Sequence, residues 1–264
     1  MSSSSGSLPG VEPLAAARAL LADAERIAVL TGAGISTDSG IADFRGPDGL
    51  WTKDPEAEKA SNISYYLADR SVRVRAWATR GSSPAWTARP NDGHRALVAL
   101  EATGRLHTLV TQNIDGLHVA AGSDPARVVE VHGTMREFAC LECGDRGPMA
   151  DALARVVAGE EDPPCLVCGG ILKSATISFG QSLVPEDLDR AMAAARSCDL
   201  LLAVGSTLSV FPVADMVPLA VAHGAPVVIV NGSPTAMDDL ADLRLTGPIS
   251  ELLPALVEGI PPLA

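Results

Sequence analysis

The sequence predicts an α/β fold: a doubly wound parallel sheet with a smaller lobe formed by insertions. Three observations carry that expectation. Four short apolar runs, RIAVLTG, LHTLVTQN, CDLLLAVGS and APVVIVNGS, each end in small or polar residues, as strands buried on both faces do when loops leave their carboxyl ends. Stretches with helical spacing separate some of them. Two segments, about 46–90 and 136–174, do not fit the sheet, and the second holds two C-x-x-C pairs.

Composition agrees. A chain of 264 residues can form one large domain, or a domain plus a small one. Hydrophobic residues make up 47% and aromatics 3%, enough for a layered core without disulfides. The formal net charge of -12 argues against a nucleic-acid footprint, which needs a basic patch. It favours solubility and suits cationic partners such as Lys-rich peptides. No signal peptide stands at the N-terminus, and Gly, Pro and Asp break every long apolar stretch, so no membrane span is expected and the location predicted is cytoplasmic.

Taken in order, MSSSSGSLPG (1–10) reads as a disordered tail and residues 11–24 as a helix. RIAVLTG is the first strand. The insertion 46–90, loop and helix with Trp51, Trp77 and Trp86, follows it. GHRALVALEA is a helix, LHTLVTQN a strand and RVVEV a short strand. After the insertion 136–174 come the helix PEDLDRAMAAAR, the strand CDLLLAVGS, the helix VADMVPLAVAHG and the strand APVVIVNGS. ISELLPALVEG closes the chain as a helix despite Pro254. Residues 11–45, 91–135 and 175–264 thus form the sheet lobe, and 46–90 with 136–174 the small lobe. Ligands of such sheets bind at strand carboxyl ends. The residues to inspect are therefore Gly32 to Ser36, Gln112 to Asp115, Gly205 to Ser209 and Asn231 to Ser233.

Each motif has a functional and a plainer reading. In GAGIS, Gly32 and Gly34 let the backbone approach a phosphate; the alternative is a tight turn. Thr37 holds the place of the third glycine of a dinucleotide fingerprint, and no second strand with a terminal acid follows about 20 residues on, so an ordinary dehydrogenase is not expected. In GIADFRG, Arg45 can hold a phosphate or ribose oxygen, Phe44 can cover a reactive face and Asp43 can orient a ligand amide or Arg45; a surface loop is the alternative. Gln112, Asn113 and Asp115 suit ribose hydroxyls and an amide, or else cap the loop and the next helix. His132, at a strand end before Gly133, is the best proton acceptor of the five histidines. Cys140-x-x-Cys143 and, after 21 intervening residues, Cys165-x-x-Cys168 place four thiolates for a closed, structural zinc site, with Gly144 and Gly169 at the knuckle turns. Redox pairs are the alternative. The fifth cysteine, Cys198, reads as a buried thiol.

Together, GAGIS…GIADFRG, TQNIDGLH, HG, two C-x-x-C pairs, FG and VGSTLSV resemble the sirtuins, in their order and over nearly the whole chain after residue 11. GPDGLWT and ILKSATISFGQ resemble the branch with a Leu-Lys-x-x-x-Ile-x-Phe-Gly element. The resemblance implies an NAD-dependent protein lysine deacylase on a Rossmann-like sheet with a zinc-binding lobe. Gly32, Ala33 and Gly34, with Gly205, Ser206 and Thr207, would hold the pyrophosphate. Asp43, Phe44 and Arg45, and Trp51 beyond them, would belong to the cofactor side. Gln112 and Asn113 would contact the nicotinamide ribose, and Ile114 and Asp115 the nicotinamide amide. Asn231, Gly232 and Ser233 would hold the adenosine end, with Ile249 near the adenine. His132 would be the general base and, with Asn113, carry catalysis. Phe179 and Gly180 would line the tunnel for the acylated lysine of a protein substrate. NAD would be consumed, giving nicotinamide, free lysine and O-acyl-ADP-ribose.

The sequence departs from that pattern in places. Ala42 stands where proline is usual, Gln181 where glutamate is common, and GSTLS swaps the usual Thr-Ser order. The Tyr-x-x-Arg of a branch preferring acidic acyl groups is unmatched in SYYLADR, where Arg70 follows Tyr66 by four. Acetyl or longer apolar acyl groups are therefore expected. The same scaffold leaves open a mono-ADP-ribosyltransferase or an NAD glycohydrolase.

Overall fold

The protein is described here from a computed structural model, which covers residues 11–43 and 61–263. Phe44, Arg45, Trp51 and the tail at 1–10 lie outside the described residues.

Helix α1 (Val11–Asp23) leads into β1 (Ile27–Thr31), all five of whose residues are buried. A 3₁₀ turn (Ala33–Ser39) follows. Helices α2 (Ile63–Ala68) and α3 (Arg70–Gly81) start on the side chains of Asn62 and Asp69, which accept the amides of Ser64 and Ser71. Helix α4 (Asp92–Ala102) starts on a capping box from Asn91 and precedes β2 (Leu106–Thr111). Then come α5 (Leu117–Ala121) and β3 (Val128–Glu130). Strands β4 (Gly133–Cys140), β5 (Arg146–Pro148) and β6 (Leu172–Thr176), with α6 (Met149–Val157) among them, make a separate antiparallel sheet in the order β5-β4-β6. The chain then returns through α7 (Pro185–Ser197), β7 (Leu200–Val204), α8 (Met216–Ala222), β8 (Val227–Asn231), β9 (Leu243–Thr246) and α9 (Ile249–Val257), which holds Pro254.

The main sheet has six parallel strands in the order β3-β2-β1-β7-β8-β9. One apolar cluster covers one face, with Leu21, Leu97, Leu253 and Leu256 packed on Val29, Leu202 and Val228. Another covers the opposite face, with Ala191, Ala195, Met216 and Val217 on Leu30, Leu201 and Ile229. Two-sided burial is why the central strands read as continuous apolar runs. Cys198 is buried in the second cluster, and burial pushes its thiol up to about 11. Trp77 is fully buried in the core of the small sheet, with Met149 and Leu172.

Four strands went unread in the sequence. The edge strand β9 buries only Leu245 fully, and β4 is half-buried along almost its whole length, so neither shows an apolar run or an alternation. The two short partners β5 and β6 are recognisable only through their pairing with β4. No helix among the described residues is long and apolar enough to cross a membrane.

Candidate active site

The strand order reverses between β1 and β7. From β1 the chain proceeds outward to β2 and β3, then returns to lay β7 on the other side of β1. Loops leaving the carboxyl ends of those two strands diverge, and a crevice opens there. A cleft of about 1320 Å³ fills it. Loops from all parts of the chain line it: Gly32, Ala33 and Gly34 after β1, Gln112, Asn113 and Ile114 after β2, His132 after β3, Gly205, Ser206 and Thr207 after β7, and Asn231, Gly232 and Ser233 after β8. Asp43, Phe179, Gly180 and Ile249 complete the predicted residues found there. Asp115 is not among them.

The glycines are required first by the protein itself. Gly32 donates its amide to Val204 O (3.0 Å) and Gly34 donates to Gly205 O (2.8 Å), stitching the loops of β1 and β7 together. A Cβ at Gly34 would stand 2.8 Å from Gly205 Cα, and one at Gly205 2.4 Å from the Ile35 amide. Gly205 also has φ of 63°, in the left-handed region. These three residues thus leave a close-packed floor of backbone under the cleft.

After β2, Gln112 Oε1 accepts from Ser206 Oγ (2.8 Å), while its Nε2 is buried without a protein partner. An unpartnered amide donor in the wall of a cleft suits an oxygen-rich ligand such as a ribose. Asn113 donates its side-chain amide to Gly32 O (3.1 Å) and Ser36 Oγ (3.2 Å). Asp115 is buried behind the wall: it accepts from Ser36 Oγ (2.8 Å) and from the Leu117 amide (2.9 Å). In this structure it does the capping work of the plainer reading.

His132 Nδ1 lies 3.0 Å from Gln112 O. A carbonyl only accepts, so Nδ1 carries the proton and Nε2 keeps its lone pair. Burial lowers the imidazole pKa, against a smaller raising effect of that hydrogen bond. The ring is therefore neutral at pH 7 and competent to take a proton.

On the far wall, Phe179 donates its amide to Ser61 O (2.8 Å) and accepts from Ile63 N (3.0 Å), tying the chain after β6 to the start of α2. Gln181 Oε1 accepts the Ser178 amide (2.9 Å), so the residue that replaces the usual glutamate braces the turn at Gly180. At the other end, Asn231 Nδ2 donates to Ser233 O (2.7 Å).

Several lining residues were not foreseen, among them Arg80, Ser174, Thr176, Leu183, Phe211 and Pro212. Arg80 is the one Lys or Arg among the described lining residues. It donates to Tyr66 Oη (3.2 Å) and stands 4.7 Å from the centroid of Trp77. No local pattern announces it, because only the packing of α3 against the small sheet brings it there. Tyr66 is buried with its hydroxyl on Leu172 O (2.8 Å), and Arg70 pairs with Glu161 (3.3 Å), so neither lines the cleft.

The four cysteines converge. Their Sγ atoms all lie within 4.8 Å of one another, with Cys140 to Cys168 at 3.5 Å and Cys143 to Cys165 at 3.7 Å. A zinc ion with Zn–S bonds of about 2.3 Å separates its ligands by roughly 3.8 Å, so a tetrahedral ion fits. Gly144 (φ 74°) and Gly169 (φ 78°) make the left-handed turns after each pair. The amides of Cys143, Val167 and Gly170 reach sulfur at 3.4–3.5 Å, which favours thiolates over thiols.

A model of the Sir2 family matches residues 32–212. The chain belongs to the Sir2 family. Among its Sir2 relatives, the NAD-dependent protein deacetylase 2 of Streptomyces coelicolor is 51% identical over 234 residues, covering 89% of this chain and 97% of the relative. A Sir2 enzyme solved for its mechanism and regulation is 37% identical with a TM-score of 0.85, covering 94% of this chain and 98% of that one. Another, solved with a deacetylated p53 peptide and 3′-O-acetyl ADP-ribose, is 31% identical with a TM-score of 0.86, over 94% and 98%.

Proposed function

We propose that this Sir2 protein is an NAD-dependent protein lysine deacylase that releases nicotinamide and O-acyl-ADP-ribose, with one structural zinc. The observation that carries the reading is His132: a neutral imidazole, its proton held on Gln112 O, in the wall of the cleft at the sheet's switch point. The relatives named as NAD-dependent deacetylases support it over ADP-ribosyl transfer or NAD hydrolysis.

NAD, when bound, supplies a ribosyl carbon whose bond to nicotinamide is weak, because a neutral pyridine leaves. The residues of this chain do the rest. The backbone of Gly32 to Gly34 and Gly205, with Ser206 and Thr207, holds the pyrophosphate. Gln112 Nε2 donates to the nicotinamide ribose beside Asn113. Asn231, Gly232, Ser233 and Ile249 seat the adenosine. Ile114 walls the nicotinamide side, and Asp115 supports it indirectly by fixing Ser36. His132 Nε2 would take a ribose hydroxyl proton, freeing that oxygen to bond to the acyl carbon as the C–N bond to the lysine breaks and the amine leaves. The acyl-lysine enters beside Phe179 and Gly180, its peptide lying as an added strand between the lobes 11–45, 91–135, 175–264 and 46–90, 136–174. The apolar wall of Ile177, Leu183 and Phe211 supports acetyl and longer apolar chains. A water-borne reaction in the cytoplasm fits this reading.

Mass spectrometry on a panel of acyl-lysine peptides, with and without NAD, tests it. Equal amounts of deacylated peptide and O-acyl-ADP-ribose are expected, falling by about 10²-fold or more in His132→Ala. NAD cleavage without peptide deacylation would move the assignment to ADP-ribosyl transfer or glycohydrolysis.

A further inference from the structure

Behind the cleft is a buried cluster to which the reaction as proposed gives no role. His94, in the first turn of α4, and His118, in α5, are both buried, with ring centroids 5.0 Å apart. His118 Nε2 lies 2.9 Å from Thr31 Oγ1. The one hydroxyl hydrogen of Thr31 goes to Thr111 Oγ1 (2.8 Å), so His118 must donate to Thr31. Thr111 Oγ1 also accepts the backbone amide of Asn113 (3.1 Å). A continuous line of hydrogen bonds therefore joins His118 to the backbone of a residue in the cleft wall. The side chain of Asn113 is held independently, on Gly32 O and Ser36 Oγ.

His94 closes the other end. The Asn91 amide donates to His94 Nδ1 (3.4 Å), and Asn91 Oδ1, 3.1 Å from the same nitrogen, is engaged by the amides of Gly93 and His94. Asn91 Nδ2 in turn donates to Ile35 O (2.7 Å) and Ser39 Oγ (3.0 Å), in the turn after β1. One nitrogen on each ring, His94 Nε2 and His118 Nδ1, is buried without a partner. His118 donates from Nε2 and keeps a lone pair on Nδ1, whereas His94 Nδ1 has both a donor, the Asn91 amide, and an acceptor, Asn91 Oδ1, within reach. The line from His118 thus ends at the loop 112–115, while His94, in ring contact with it, is tied through Asn91 to the turn at 33–39.

We propose that His118 is a positioning residue: through Thr31 and Thr111 it fixes the backbone of Asn113, whose side chain, held on Gly32 O and Ser36 Oγ, works on the nicotinamide ribose. The inference rests on the deacylase reading of the cleft.

The test compares Thr31→Val, His118→Phe and His118→Gln with the wild type on an acetyl-lysine peptide at saturating NAD, with thermal melts alongside. Val keeps the shape of Thr31 without its hydroxyl. Gln presents an amide N–H near the place of Nε2, and Phe does not. Thr31→Val and His118→Phe should lower kcat about tenfold at an unchanged peptide KM, and His118→Gln should recover most of it. The double variant Thr31→Val with His118→Phe should be no slower than either single variant, because both cut the same line. A Thr31→Val kcat within twofold of wild type would overturn the proposal. So would a His118→Gln as slow as His118→Phe, or losses in kcat that merely track the unfolded fraction. A wild type that does not deacylate the peptide would overturn the deacylase reading instead.

Discussion

At the scale of single residues, His132 ties geometry to a pH profile. Burial lowers its pKa from the ordinary value of 6.5, and the bond to Gln112 O only partly compensates. As the proposed base, His132 would work while neutral, so activity is expected to be lost as pH falls through that depressed pKa and to be full above it. The acid limb of kcat/KM for deacylation is therefore expected below pH 6.5, with a flat profile from there to neutral. A limb centred above 6.5 would contradict the environment described for the ring. The type of residue was legible at this scale: His132, Gln112, Asn113 and Ser206 stand out as polar groups at strand ends. Their partners were not. That Asp115 turns away to hold Ser36 and the Leu117 amide, and that Arg80 reaches the cleft from α3, depends on contacts across 79 residues or between lobes.

At the scale of elements, the small sheet depends on its metal site. Among the described residues its central buried cluster is Trp77, Cys140, Met149, Ala152, Cys165 and Leu172, and two of these belong to the four-cysteine site. A structural zinc stabilises a fold by on the order of 10 kcal/mol, which is comparable with the whole burial of so small a cluster. Removing zinc with a chelator should unprotect the amides of β4 and β6 to hydrogen exchange while those of β1, β7 and β8 stay protected. Activity should fall with it, because Ser174 and Thr176 of β6 line the cleft. Unchanged exchange in β4 after metal loss would show that the sheet stands alone. The cysteine spacing exposed this lobe in the sequence, but its strands stayed hidden, since half-buried residues leave no period to read.

At the scale of the whole molecule, the buried histidine pair makes stability depend on pH. His94 is pushed down to about 4, by burial first, with Asp115 raising it and Arg95 lowering it further. His118 is pushed down to about 3, by burial and then by His94. Both folded values lie below the unfolded 6.5, so the unfolded chain binds protons that the folded one refuses, and stability falls as pH drops from 6.5 toward 4. Each ring costs about 2 kcal/mol at pH 5 relative to pH 7. Glu130 works the other way. Burial first, then Asp115 and Glu137, raise it to about 7, and that burden is relieved over the same window. The contribution of His118 is therefore read as a difference: between pH 7 and pH 5, the wild type should lose about 2 kcal/mol more than His118→Gln in urea titrations. Parallel losses would show that His118 is protonated without cost.

The sequence by itself determined the class of fold, the loops that line the cleft and the four cysteines that converge. All three rest on local chemistry: strands buried on both faces must be apolar, loops at their ends must be small or polar, and four thiolates at knuckle spacing converge. Only the tertiary structure decided which loops meet. The switch between β1 and β7 sets Gly34 on Gly205 and turns Gln112 toward Ser206, and the pairing of β2 with β3 brings His132 under the carbonyl of Gln112. The tertiary structure also sets His94 and His118, from different helices, with their buried rings against each other. Their meaning lies in a 5.0 Å contact between two helices, which no spacing along the chain encodes.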